Sequence, residues 1–294
     1  MALGMANAER EKARLREIAA EVIPASAATP LGLYAFRADD LGAELARSIE
    51  GEVFLETFGN TPEMLREEYL PYEGRTFYLC VVDHVRRLPV GAMRVIVPRH
   101  DCTGSKTLDD IRTHWGVPRE ELTIRSGEPF DCRSTWDIAT LAVSREYQGR
   151  ATAGLVAVGL YSSYVRTSIL CQVDYVVAIL DARMFRFGNW EFKGTWSVFD
   201  RVDGAPYLGS PSSFPVWCQL SDWGGRLAEA DPILHGIVFR GRGMDPVLGM
   251  APIDKIGELA RRLQEKEELP EYIDLRSARP EPRPAYLEIT RVSP

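Results

Sequence analysis

The stretch from Ala151 to Cys171 is apolar on nearly every side, and Val173 to Leu180 follows it as an unbroken apolar run. A helix without a polar face has to be enclosed by other structure. A short apolar run bounded by that helix and by Asp181 reads as a core strand. Upstream, Trp136 to Val143 reads as a strand, and Ser144 to Ala153 as a turn rich in small residues. Earlier still, Phe77 to Asp83 and Val90 to Val97 are strand-like and joined by His84 to Pro89, an expected antiparallel hairpin. The order is hairpin, third strand, small-residue turn, buried helix, strand. Such an alternation constrains the chain to an α/β fold with helices packed on a sheet.

The flanking segments fill in the rest. Leu15, Ile18, Ala19 and Val22 lie on one stripe of a helix over 7–22, and Leu31 to Phe36 is an expected first strand. Leu41, Leu45, Ile49 and Phe54 carry a second helix. A short third one has Thr61 as its N-cap and Pro62 at its first position. Residues 99–133 break the pattern with Gly104, Gly116, Pro118, Gly127 and Pro129, and read as an insertion holding one short helix, 108–115. Arg183 to Phe187 reads as a short helix, and Glu191 to Val198 and Phe214 to Leu220 as strands. One more helix is expected over 254–268. The expected organisation is an N-terminal helix and linker over 1–29, one catalytic domain over 30–222, and a C-terminal extension over 223–294.

Composition removes several function classes. The net charge of −7 argues against nonspecific binding to nucleic acid. No apolar run reaches the ~18–20 residues of a membrane span, and Met1 to Arg10 lacks a secretory h-region, so a cytoplasmic protein is expected. His84, His100, His114 and His235 show no metal-ligand spacing, and no metal is expected. Of the five cysteines, Cys102 and Cys132 flank the insertion and could meet in space; reduced thiols are the expectation.

The turn Ser144-Arg145-Glu146-Tyr147-Gln148-Gly149-Arg150-Ala151-Thr152-Ala153 resembles the pyrophosphate loop of the Gcn5-related acyltransferase superfamily, Q/R-x-x-G-x-G/A, with Gln148, Ala151 and Ala153 at its three positions. The central glycine is an alanine here. Independently of the resemblance, backbone N–H groups at the start of a helix lack partners within it and sit at the positive end of its dipole. Small side chains let a phosphate approach them. Trp136-Asp137-Ile138-Ala139-Thr140-Leu141-Ala142-Val143 is similar to the W-E-x-S-R-x-A-V strand of autoinducer synthases and N-acyl amino acid synthases of that superfamily. Gly91 to Pro98, Phe185 to Trp190, and Tyr207-Leu208-Gly209 with Phe214-Pro215 extend the likeness over about residues 50 to 220. Asp137 replaces the family glutamate, Ala139 its serine and Thr140 its arginine. The acidic cluster used for adenosylmethionine is not evident, with Tyr72 and Glu73 near its place, so a homoserine-lactone product is not expected.

The resemblance implies a mixed, mostly antiparallel sheet splayed near its central strands. It also implies direct transfer of an acyl group from coenzyme A or an acyl carrier protein to the amine of an amino acid or small metabolite. Acyl-CoA or acyl-phosphopantetheine would be co-substrate, with no tightly bound cofactor. The donor would lie along Leu141, Ala142 and Val143, where a backbone N–H meets the oxyanion, and against Gln148, Gly149, Arg150, Ala151, Thr152 and Ala153. Between residues 145 and 186 five arginines face three acids, a local basic excess suited to phosphates or an acidic carrier.

Aminolysis of a thioester needs an acceptor for the amine proton. Asp137 on a central strand is the first candidate, with Glu56, Glu67, Glu68 and Glu73 behind it. A structural hydrogen bond or a place on an exposed strand face is the competing role for Asp137. Arg94, on an internal strand, requires an acidic partner and is a second site candidate; it could anchor Asp137, a substrate carboxylate, or nothing catalytic. Tyr207, Tyr161 and Tyr164 could protonate the leaving thiolate or pack in the core. Phe185, Phe187, Trp190, Phe192 and Trp196 could wall an acyl tunnel or be core. A short-chain acetyl-CoA acetyltransferase, thioester hydrolysis, and a silent or repurposed binding module stay open as alternatives. An apolar tunnel would favour a long acyl chain and a blocked pocket an acetyl group.

Overall fold

The computed structural model describes residues 2–24, 28–125, 127–148 and 154–265. Helices α1 (Ala2–Val22), α2 (Ala43–Phe58) and α3 (Pro62–Tyr69) surround strand β1 (Leu31–Arg37) in the chain and lead to β2 (Thr76–Asp83) and β3 (Leu88–Ile96). The insertion holds α4 (Lys106–His114) and a small hairpin, β4 (Thr123–Ile124) with β5 (Glu128–Pro129). Then come β6 (Thr135–Val143), α5 (Leu155–Leu170), β7 (Tyr175–Asp181) and α6 (Ala182–Glu191). The remainder is β8 (Ser197–Val198), β9 (Ala205–Tyr207), β10 (Ser210–Gln219), α7 (Leu220–Ala230), α8 (Pro232–Arg240), β11 (Leu248–Met250) and α9 (Ile253–Glu265).

Local chemistry sets several boundaries. The Thr61 hydroxyl accepts the N–H of Met64 with Pro62 at the first helical position, and Gly59 ends α2 in the left-handed region. The predicted hairpin is the β2–β3 pair, in register from Thr76↔Ile96 to Asp83↔Leu88 with one bulge. The sheet order is β11-β1-β2-β3-β6-β7-β10-β8 with β9 beside β10. Among the described residues only β1–β11 and β6–β7 pair in parallel, so the sheet is mixed and mostly antiparallel. The β6–β7 step needs a crossover, which α5 supplies.

One face of the sheet packs α5, α7, α8 and α9 through Phe77, Met93, Trp136, Leu160, Tyr164 and Trp223, among others. The opposite face packs α1 and α2 through Leu15, Ile18, Leu45, Ile49 and Tyr78. Residues 223–265, read above as an extension, are woven into the same body: Leu227, Val238, Leu248 and Leu259 sit in the larger core, and β11 adds an edge strand. Their helices α7 and α8 had no clear reading in sequence. Only Ser197 and Val198 of the strand expected over 191–198 pair, because Gly194, with φ of 83°, breaks the preceding segment.

The insertion corrects one expectation. Cys102 and Cys132 are joined in a disulfide across their separation of 30 residues, rather than held as thiols. Gly104 and the turns around it let the chain return on itself, and Leu108, Ile111, Leu122 and Ile124 give the insertion its own apolar cluster against Val177, Phe199 and Trp217. No described helix is long and apolar enough to cross a membrane, and the described residues contain no His/Cys/Asp/Glu cluster fit for a metal ion.

Candidate functional site

The centre of the sheet opens. β6 and β7 pair only through Thr135↔Tyr175, Trp136↔Val176 and Asp137↔Val177. Past that point Ile138–Val143 and Ala178–Asp181 are not in register with one another, while each stays paired on its outer side. The divergence has a local cause. The β3–β6 register slips by one between Arg94↔Thr140 and Val95↔Ile138, so Ala139 is the extra residue of a bulge, which bends the strand. The fully buried Tyr69 fastens the bulge by donating its hydroxyl to the Ala139 carbonyl at 3.3 Å. Leu141 and Val143 are half-buried on the open edge and Ala142 is buried.

Arg94 lies beneath the bulge and is 1% exposed. Its Nε donates to Glu50 Oε1 at 2.9 Å, Nη2 to Glu50 Oε2 at 2.6 Å, and Nη1 to Glu73 at 3.2 Å. The Thr140 hydroxyl also donates to Glu50. Tyr69 and Tyr78 place their rings 4.2 and 4.8 Å from the guanidinium. Burial opposes the charge, but Glu50 outweighs it and holds the guanidinium above its ordinary range. The required acidic partner is therefore Glu50, with Glu73, rather than Asp137 or a substrate carboxylate.

Asp137 is fully enclosed. Its Oδ2 accepts the Ser105 hydroxyl at 2.8 Å and the Thr107 N–H at 2.7 Å, and its Oδ1 accepts the Thr107 hydroxyl at 2.8 Å. Burial lifts the carboxyl to about 6, against the pull of those bonds from Thr107 and Ser105. All of these partners belong to the first turn of α4 and its cap, so the side chain anchors the insertion to β6, with no described hydrogen bond to Arg94 or Tyr207.

Tyr207 ends β9 in a second cluster. Lys106 Nζ donates to Glu68 at 2.6 Å, to Asp110 at 2.6 Å and to the Tyr207 hydroxyl at 2.9 Å, and Tyr207 donates to Asp110. Three donors are matched by three acceptors on α3, α4 and β9. Burial, with Tyr69 and Asp110 nearby, holds the Tyr207 hydroxyl protonated far above its usual range. Its proton is committed to Asp110, which leaves none for a departing thiolate in this arrangement. The turn after it fits closely: at Gly209, with φ of 79°, a Cβ would stand 2.3 Å from the Phe58 carbonyl, and Asn60 donates to the Leu208 carbonyl.

Tyr69 links the two clusters, since the Lys106 ammonium lies 5.3 Å from the ring that also meets Arg94. Sequence reasoning passed over Tyr69, Glu50, Lys106, Ser105 and Thr107. Glu50 could have been found: it falls four residues after Ala46 on the buried face of α2, where a lone carboxylate demands a cation.

Of the predicted phosphate loop, Gly149, Arg150, Ala151, Thr152 and Ala153 lie outside the described residues. Gln148 is exposed and turns its amide back to the Val143 carbonyl at 2.6 Å, at the end of the open edge. On the α5 side, the space behind the divergence is nearly filled. Ile138, Tyr161, Tyr164, Val176, Trp196 and Cys218 leave about 10 Å³. Phe192 and Trp196 are core, whereas Phe187 and Trp190 are exposed on α6. A larger cavity of about 360 Å³ lies near Trp217 and Gln219, at the paired end of β7 and away from the opening.

No protein-family model matches the chain, and no curated protein does. Among solved structures it is similar to the CoA-dependent acyl-homoserine lactone synthase BjaI with SAM and isopentyl-CoA: 15% identity, TM-score 0.47, covering 77% of this chain and 98% of that one. It is also similar to FeeM, an N-acyl amino acid synthase from uncultured soil microbes, at 12% identity and TM-score 0.47, covering 68% and 96%. A third is spermidine N-acetyltransferase from Vibrio cholerae in complex with CoA and spermine, at 8% identity and TM-score 0.40, covering 66% and 98%.

Proposed function

We propose that this chain is an N-acyltransferase that carries an acyl group directly from a pantetheine thioester to the amine of an amino acid or small metabolite. The observation that carries the reading is the parting of the parallel strands β6 and β7 after Asp137 and Val177, with a bulge at Ala139. An extended pantetheine arm has amides that add to a free strand edge as a peptide would. Along Leu141 to Val143 it would bring its thioester to the bulge, where a strand N–H can meet the oxyanion. Gln148 and the adjoining segment would take the phosphate end.

In this reading the attacking amine enters from the α3–α4–β9 side, and Glu68 accepts its proton. Glu68 is half-exposed beside Tyr69, whereas the Asp137 lone pairs are engaged by α4. We assign Asp137 and Arg94 to holding the bulge and its walls, and Tyr207 to shaping the acceptor side. Acyl-CoA is the preferred donor, with an acyl carrier protein as the alternative, and the reading keeps the expected cytoplasmic setting. The filled space on the α5 side favours a short acyl group.

The test is thermal stability with CoA, short and long acyl-CoA and an acyl-loaded carrier protein, followed by mass spectrometry with an amine panel. A bound donor at about 100 times its Kd adds roughly 2.7 kcal/mol. Stabilisation by short acyl-CoA, lost in Val143→Trp, and an amide product that depends on added amine are expected. Stabilisation by none of the donors would end the reading.

A further inference from the structure

Residues 99–133 leave the sheet after β3 and rejoin it at β6, and the Cys102–Cys132 bond ties the two ends of this excursion, with Cα atoms 5.7 Å apart. The closed loop holds more than itself. Ser105 and Thr107 supply every hydrogen bond described for the Asp137 carboxylate. Lys106 joins α3 and β9 through Glu68 and Tyr207. At the other end of α4, the His114 ring meets the Pro206 carbonyl at 2.7 Å and the Trp115 indole donates to the Asp203 carbonyl at 2.8 Å. One helix of nine residues thus contacts α3, β6 and the β9 segment, the three walls around the bulge, while β6 itself is held in the sheet by its ladder with β3.

The two half-cystines differ in exposure. Cys102 is 2% exposed, whereas Cys132 is half-buried between the exposed Asp131 and Arg133. A thiolate from solvent therefore has a way to Cys132, with Cys102 as the leaving sulfur. Cys80 and Cys218 are buried and Cys171 lies beside Gly257, each in a different part of the fold.

We propose that Cys102–Cys132 is a redox latch that holds the insertion as the acceptor wall of the site. A dithiol reductant cleaves the S–S bond; two protein thiols form, and the reductant becomes a disulfide. The freed ends let α4 lift from Asp137 and from the Glu68–Tyr207 cluster. The β6–β7 opening, built from strands paired with β3 and β10, keeps its form. Reduction then weakens acceptor binding and leaves donor binding in place. The acceptor part of this inference rests on the acyltransferase reading; the latch does not.

The experiment uses the full chain, oxidised and after treatment with dithiothreitol. Alkylation under denaturing conditions is expected to label three cysteines before reduction, Cys80, Cys171 and Cys218, and all five afterwards. Limited trypsin digestion should cut at Arg112, Arg119 or Arg125 roughly tenfold faster in the reduced protein, because a loosened segment opens more often. The double variant C102S/C132S should match the reduced form in either condition, and Cys171→Ser should follow the wild type. Should the double variant fail to fold, reduced and reoxidised wild type make the same comparison. With a working donor, reduction should raise the acceptor KM several-fold while the donor-induced melting shift is unchanged.

Five labelled cysteines without reductant, or equal digestion rates in the two states, would overturn the latch. A redox-dependent digestion rate with no thioester binding would instead retain the latch and remove the acyltransferase reading.

Discussion

Asp137→Asn tests how the fold treats a carboxylate it has fully enclosed. Burial raises the Asp137 carboxyl from the ordinary 3.8 to about 6, although two hydroxyls and an N–H pull the other way. A rise of that size is worth about 3 kcal/mol. Its sign follows from proton linkage: between the two values the folded chain binds more protons than the unfolded one, so this stabilisation is complete below 3.8 and lost as pH rises through 6. Asparagine does not titrate, and the other carboxylates are common to both proteins. The stability of wild type minus that of the variant should therefore fall by about 2 kcal/mol from pH 4.5 to 7.5, the part of the full change inside that window. Urea denaturation at steps of pH measures it. A difference that stays flat, or that grows with pH, would mean that Ser105 and Thr107 hold the carboxylate ionised and that desolvation is the weaker effect.

Glu50→Ala should cost about 3–5 kcal/mol, because it leaves Arg94 buried with only Glu73 for company; the pair Glu50→Leu with Arg94→Met should recover most of it, and equal melting points for wild type and Glu50→Ala would refute the assignment. The C102S/C132S variant should lose about 3–4 kcal/mol of unfolding free energy, as release of a loop of 30-residue separation implies, measured by denaturation without reductant. Tyr161→Ala should open the filled space behind the divergence, so that acyl-CoA donors several carbons longer than those of the wild type produce a melting shift; an unchanged length limit would place the acyl group elsewhere.

The sheet was legible because its patterns are local. Apolar strands such as Val173–Leu180, the Thr61–Pro62 start of α3 and the β2–β3 hairpin, Thr76 to Ile96, each carry their signal within a short stretch of chain. Arg94 also announced itself, since a guanidinium on an inner strand has to be paired. What stayed hidden depends on distance in the chain. Glu50 meets Arg94 across 44 residues and Lys106 meets Tyr207 across 101, and no periodicity encodes such meetings. Asp137 was visible as a carboxylate on a central strand, but its engagement by Ser105 and Thr107 depends on how the insertion folds back. The disulfide was hidden for a related reason: two cysteines flanking a loop say nothing of whether their Cα atoms come within 5.7 Å. Strand β11 has three residues, too few to show alternation, and it is defined by its pairing with β1.

The two sides of the opening are chemically unequal, and this decides where a proton can go. On the α5 side lie Tyr161, Tyr164, Trp196 and Trp223, packed with little room left. On the other side lie the Lys106 cluster and the Arg94 pair, bridged by Tyr69. Under the proposed acyltransfer, an acyl group belongs with the first set and an ammonium with the second. The amine must lose a proton before it attacks, and within the second set most carboxylate oxygens are enclosed and already bonded. Glu68 differs, with 36% of its side chain exposed. Glu68→Gln keeps the shape and an acceptor oxygen for Lys106 but removes the basic carboxylate. It should leave the donor-induced melting shift intact and lower turnover by about 10²–10⁴-fold near neutral pH. The deficit should shrink as pH rises toward the amine's own pKa, because solvent then supplies the free amine. A deficit of equal size at every pH would mean that Glu68 only positions Lys106, and no deficit would leave proton removal to water or to the substrate itself.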